Sequence, residues 1–176
     1  EKLKKLIISY FTYHLVTSFG FSKFFCILFL KQGYCNTFYL FAQLISNQDL
    51  VLDGCDNFTT RYLVNQTCKQ FNVPLISASA IGFQGQLFMV EGESACYECL
   101  FPKEQHVNEN LRCADSGVLA TTPNVMASLQ AHHALLYLGL GKTPLKQKLM
   151  LWDGLSMKQR LLAFEKDTDC PICQAR

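Results

Sequence analysis

The sequence predicts an α/β fold, a mixed or parallel sheet carrying helices, and three features predict it. An apolar run ending in acids, Leu50 to Asp53, is followed by a helix-spaced segment and a second apolar run at Pro74 to Ile76. That strand, helix, strand order with short connections is a βαβ unit. A long helical pattern from Thr122 to Leu138 then precedes a hairpin-like pair, Lys148 to Trp152 and Lys158 to Phe164. Finally, two CxxC pairs, Cys96 with Cys99 and Cys170 with Cys173, stand with 70 residues between Cys99 and Cys170. The two-residue spacer lets each pair of thiolates turn toward one tetrahedral ion, and the fold bridges the interval. The expected centre is a closed structural zinc, because four thiolates leave no position for water. Either pair alone could be a redox dithiol or two buried thiols.

Length and composition suit one domain: 176 residues with 49% hydrophobic content are ample for a core. A net charge of +2 gives no electrostatic case for nucleic acid. The charge is unevenly placed, however. Residues 1–48 carry five lysines against Glu1, a balance of +4, whereas residues 49–176 carry 11 basic and 13 acidic residues, a balance of −2. Of the nine cysteines, Cys26, Cys35, Cys55, Cys68 and Cys113 are scattered. An odd, unpatterned remainder suits a reducing compartment, so a cytoplasmic protein is expected.

Residues 1–37 form an aromatic-rich segment unlike the rest, with seven tyrosine and phenylalanine rings between Tyr10 and Phe25. A membrane span needs about 20 mostly apolar residues. Lys23 and Lys31 bracket only seven, and the stretch from Leu6 to Ser22 includes His14, Gly20 and several hydroxyls. A buried or poorly folded segment is expected there instead of a span, and no small-residue cleavage site marks a signal peptide. From residue 38 the pattern is ordinary. Phe38, Phe41, Leu44 and Ile45 lie near one face of a short amphipathic helix. Leu50 to Leu52 reads as a buried strand that delivers Asp53 and Asp56 to its carboxyl end, where open parallel sheets bind ligands.

Thr59 to Phe71 is helical in spacing, and Gly82 and Gly85 bracket a turn that feeds a strand from Gln86 to Val90. Thr122 and Pro123 make a helix start, a hydroxyl cap followed by proline. Gly139 or Gly141 ends that helix. Its Val125, Met126, Leu129, Leu136 and Leu140 suggest a buried face. Adjacent His132 and His133 point about 100° apart, so both read as solvated or core residues rather than as ligands.

The stretches DLVLDGCDNFTTRYLVNQTC, VPLISASAIGFQGQLFMV, ACYECLFP, CADSGVLATTPNVMASLQA, LWDGLSMKQRLLAF and DCPIC cover about Gln48 to Cys173. Together, and in this order, they resemble the adenylating enzymes of the ThiF/MoeB/HesA type, relatives of the ubiquitin-activating enzymes. The resemblance implies a Rossmann-like fold and ATP-dependent adenylation of the C-terminal glycine of a small ubiquitin-like sulfur-carrier protein ending in Gly-Gly. It also implies a homodimer. Asp56 matches the family's magnesium and ATP aspartate, and Asn57 and Arg61 accompany it. Apart from the resemblance, Asp56 could be a loop acid or helix cap and Arg61 a structural anchor. Cys113 stands where sulfur-transferring members hold a cysteine that attacks the adenylate or forms an acyl-persulfide. Its other reading is a spectator thiol.

One departure stands out. Family members carry a glycine-rich GxGGxG loop in an N-terminal βα unit that binds the triphosphate, and no GxGxxG occurs in these 176 residues. Gly139-Leu140-Gly141-Lys142 follows a helix instead of opening one. The expected organisation is therefore an anomalous segment over 1–37 and, over 38–176, an adenylation domain without its phosphate-binding unit, as in a truncated or misassembled gene product. A competing expectation is a non-catalytic, zinc-stabilised module that binds a ubiquitin-like protein or a full-length subunit.

Overall fold

The computed structural model of the protein describes residues 42–103 and 117–174, together with the backbone of 24–27. Six strands form one sheet in sequence order: β1 (Phe24–Ile27), β2 (Leu50–Asp53), β3 (Leu75–Ile81), β4 (Gln84–Val90), β5 (Lys148–Asp153) and β6 (Lys158–Ala163). Helix α1 (Phe58–Gln70) carries the chain from β2 to β3, and α3 (Thr121–Leu140) lies between β4 and β5 in the chain. Two single helical turns, α2 (Tyr97–Leu100) and α4 (Pro171–Gln174), open at the CxxC pairs. β1, β2 and β3 are parallel, whereas β4, β5 and β6 each run antiparallel to the strand before. The sheet is mixed for a connectivity reason: a crossover helix returns the chain to the same end, and a hairpin does not.

Strand β1 lies within the segment that the sequence left without a fold, and it pairs with β2 from Phe24 opposite Leu50 to Ile27 opposite Asp53. The rest of 1–37, and the boundary at 37/38, lie outside the described residues. A helical turn over 42–45 is the described part of the short helix expected from Phe38. Among the described residues no helix is long and apolar enough to cross a membrane.

Both faces of the sheet are covered, which is why β2 is buried at every position. Val51, Leu75, Phe88, Val90 and Leu149 pack on one face with Tyr62, Val64 and Cys68 of α1. Leu50, Leu52, Ile76, Leu87, Met89 and Met150 pack on the other with Met126, Ala131 and Ala134 of α3. Each large side chain so buried contributes about 1.5–3 kcal/mol.

Helix α3 buries Met126 as expected and packs Leu129 partly buried against the core, but the rest of its inward stripe differs from the one its leucines suggested. Leu140 is 68% exposed, while Thr122, Met126, Gln130, Ala131, His133 and Ala134 face inward. Small and polar residues let the helix approach the sheet closely, and each buried polar group has a partner. The Thr122 hydroxyl does not cap the helix; it donates to the Gly82 carbonyl at 3.2 Å. His133 shares a 3.4 Å hydrogen bond with Thr143, and burial, together with neighbouring His132, pushes its pKa down. The helix ends as expected on a left-handed glycine, Gly141, at φ 63°.

The turn between β3 and β4 is tighter than the sequence indicated, since Ile81 already pairs with Gln84. Gly82, at φ 54°, makes the reversal, whereas Gly85 lies inside β4 for a packing reason. A Cβ at Gly85 would stand 2.1 Å from Met126 Sδ and 2.6 Å from its Cγ. Gly85→Ala is therefore expected to lower stability by about 1–3 kcal/mol through overpacking, read from the urea midpoint.

Candidate functional site

The carboxyl end of β2 holds a buried polar network. Asp53 is fully buried, and its carboxylate accepts from the Cys55 N–H at 2.9 Å and from the Ser77 hydroxyl at 2.7 Å. Arg61 Nε of α1 stands 3.3 Å from Asp53 Oδ2. The same guanidinium donates through Nη2 to the Cys55 carbonyl and, at 3.1 Å, to the Ala78 carbonyl, and it lies over the Tyr97 ring at 5.7 Å. From the opposite face, Gln130 Nε2 donates to the carbonyls of Asp53 at 2.9 Å and Ile76 at 2.8 Å. The ends of two parallel strands are thus clipped together from both sides. The buried charge is tolerable because it is paired and hydrogen-bonded. Burial works most strongly against the Arg61 charge, but Asp53, Tyr97 and Cys55 together outweigh it and raise the guanidinium pKa.

That network positions the loop of residues 54–57. Asn57, not Asp56, caps α1, its Oδ1 accepting from the Thr60 N–H at 2.8 Å. Asp56 is exposed, and it accepts from Asn57 Nδ2 at 3.3 Å. The three residues matched to nucleotide binding therefore divide: Asp56 and Asn57 are exposed ahead of the helix, and Arg61 is buried with its guanidinium in protein contacts. Asp56 offers a carboxylate next to a helix N-terminus, a position suited to a hard cation and the phosphates it carries. Cys113 lies outside the described residues.

The four paired cysteines converge. Their sulfurs all lie within 4.8 Å of one another, at 3.9 Å for Cys96 to Cys99 and 3.6 Å for both Cys96 to Cys170 and Cys99 to Cys173. A disulfide would bring two sulfurs to about 2.05 Å. Tetrahedral thiolates at about 2.3 Å from one ion stand about 3.8 Å apart, which these separations match. Cys96, Cys170 and Cys173 are buried and Cys99 is half-buried. Burial raises the thiol pKa of Cys96 to about 11, of Cys170 to about 12 and of Cys173 to about 11. For Cys99, burial pushes upward, but hydrogen bonds with the Cys96 and Asp167 backbone bring it below its usual value.

Helix α1 anchors this centre. Lys69 Nζ donates to the carbonyls of Gly92 at 2.7 Å and Ser94 at 3.1 Å, fixing the segment that leads into Cys96. Asn65 Oδ1 accepts from the Tyr97 N–H at 2.9 Å. The Cys170 end folds locally, with Cys173 N–H donating to the Cys170 carbonyl at 3.1 Å. Sequence reasoning singled out neither Ser77, Gln130, Asn65 nor Lys69. A polar residue in the middle of an apolar strand or helix was the one signal available for them.

A model of the family described as the ThiF family matches residues 34–172. The chain is 40% identical over 131 residues to the sulfur carrier protein ThiS adenylyltransferase of Escherichia coli (strain K12), covering 73% of this chain and 51% of that protein. It is 33% identical over 133 residues to the adenylyltransferase and sulfurtransferase MOCS3 of Arabidopsis thaliana, covering 74% of this chain and 29% of that protein. The sulfur carrier protein adenylyltransferase of Thermus thermophilus is 38% identical over 138 residues, at 74% and 51% coverage. This chain thus spans about half, or less, of the relatives it matches. Among solved structures, E. coli MccB with ATP superposes at a TM-score of 0.63 with 21% identity, over 78% of this chain and 42% of that one. The likeness is one of fold.

Proposed function

The chain belongs to the ThiF family, and from that premise we propose that it carries part of a site that adenylates the C-terminal glycine of a small ubiquitin-like sulfur-carrier protein. The observation that carries the reading is Asp56, an exposed carboxylate one residue ahead of the α1 cap, on a loop held from below by Asp53 and Arg61.

In the proposed reaction a carboxylate oxygen of the carrier's terminal glycine attacks the α-phosphorus of ATP. The bond from that phosphorus to the bridging oxygen breaks, pyrophosphate leaves with its electron pair, and an acyl-adenylate remains. Two anions must meet, so their repulsion has to be offset. Magnesium held by Asp56 would supply positive charge at the phosphates. Asn57 keeps the first turn of α1 in place through its cap, and Arg61 acts indirectly, holding the Cys55 carbonyl next to Asp56. As the resemblance implies, the Cys113 thiolate would then attack the carbonyl of the acyl-adenylate, forming a thioester as AMP leaves.

Sequence similarity to relatives named as sulfur carrier protein adenylyltransferases supports this substrate class. The test is ATP–pyrophosphate exchange with purified chain and a carrier ending in Gly-Gly. Exchange by the wild-type chain is expected to fall about 100-fold in Asp56→Asn, with an unchanged melting temperature because the side chain is exposed. Carrier binding without any exchange would favour the competing reading, a non-catalytic binding module.

For the four cysteines we propose one structural zinc with no open position, which closes α2 against α4. The matching sulfur spacing supports it, and thiolate ligands suit zinc.

A further inference from the structure

Asn65 presents an unanswered question in this fold. It is fully buried on α1, and its Oδ1 is taken by the Tyr97 N–H at 2.9 Å. That bond fixes the orientation of the amide, because turning it over would set two donors against each other. Nδ2 must therefore point away from the Tyr97 N–H, and it makes no hydrogen bond of good geometry. Among the described residues one other buried side-chain nitrogen or oxygen shares this condition, Arg61 Nε, and it has the Asp53 carboxylate at 3.3 Å. A buried donor left unmade costs about 1–3 kcal/mol, so a native fold that keeps one has a partner for it in some state.

The peptide whose N–H Asn65 holds joins Cys96 to Tyr97, so the buried Cys96 side chain stands at the residue next to the docked amide. A neutral thiol is a weak acceptor, whereas a metal-bound thiolate accepts fully. We propose that Asn65 is a positioning residue of the metal centre, whose Nδ2 donates to Cys96 Sγ when the four thiolates hold zinc. Asn65 then works with both ends of its amide: Oδ1 sets the α2 backbone and Nδ2 sets the ligand sulfur. Donors to ligand sulfurs spread the negative charge of a four-thiolate site and fix ligand orientation. This inference rests on the zinc reading, and the experiment separates the two.

The full chain, labelled with nitrogen-15, would be loaded with one equivalent of cadmium-113 as the NMR probe. The expected result is a through-bond correlation from the metal, across Cys96 Sγ, to the Asn65 side-chain amide protons. Stoichiometric metal without that correlation overturns the inference and leaves the zinc reading standing. No metal uptake by the wild-type chain overturns both. Asn65→Asp keeps the acceptor for Tyr97 and removes the donor. It is expected to weaken zinc binding about 10–100-fold against a competing chelator and to move the thiolate-to-metal absorption of the cobalt(II) form to lower energy. A purely structural Asn65 would leave that absorption where it is. Should the variant not fold, the wild-type correlation decides alone.

Discussion

Arg61→Met is expected to destabilise the fold by about 3–5 kcal/mol, because it strands a buried carboxylate. Asp53 has no solvent exposure, and its counter-charge is the Arg61 guanidinium at 3.3 Å. Methionine fills much of the same space, so the effect isolates the lost charge and the lost donors to the Cys55 and Ala78 carbonyls. The Cys55 N–H and Ser77 hydroxyl would remain, but neither carries a full charge. Adding Asp53→Asn should recover part of the loss, since an uncharged pair leaves no unpaired ion in the core. Urea titrations of the two single variants and the double variant give the cycle. A loss under about 1 kcal/mol for Arg61→Met would mean that water reaches Asp53, contrary to its burial. Because Arg61 also holds the residue before Asp56, nucleotide-dependent activity should fall with stability in Arg61→Met, whereas Asp56→Asn separates the two.

Cys170→Ser is expected to abolish tight binding of one zinc and to lower the melting temperature by about 10 °C. The magnitude follows from chain entropy. The bridge from Cys96 to Cys170 joins residues 74 apart, and closing a loop of that length in the unfolded chain is worth about 4 kcal/mol in the cross-link model. For a domain of this size 1 kcal/mol corresponds to about 2–4 °C. Chelation of the wild-type protein should give a similar shift, reversed by added zinc. Elemental analysis of reduced protein checks the stoichiometry. Wild-type material with no zinc, or with a melting temperature indifferent to chelator, would return the four cysteines to the alternative of buried thiols. Oxidation to disulfides would shorten the sulfur separations from 3.6 Å and 3.9 Å to about 2.05 Å and is separately visible by thiol titration.

The legible parts of this protein were those encoded by short spacing. CxxC is a local pattern, and both pairs arrived at one place. The αL end of α3 at Gly141, the α1 helix, displaced by one residue from the expected 59–71, and the β5–β6 hairpin were likewise written in neighbouring residues. The misjudged parts depended on distant contacts. Thr122 has the chemistry of a cap, yet its hydroxyl reaches Gly82, and Gly85 looked like a turn residue until Met126 was placed above it.

The sequence by itself determined the α/β alternation, the two cysteine pairs and the acidic loop after β2, because periodicity and two-residue spacing depend only on local backbone geometry. Tertiary structure alone decided that β1 joins the sheet, that Arg61 faces inward while Asp56 faces out, and that Ser77, Gln130 and Asn65 matter. The reason is physical: a buried polar group is acceptable only where a partner meets it, and for these residues the partner lies 8 to 77 positions away in the chain.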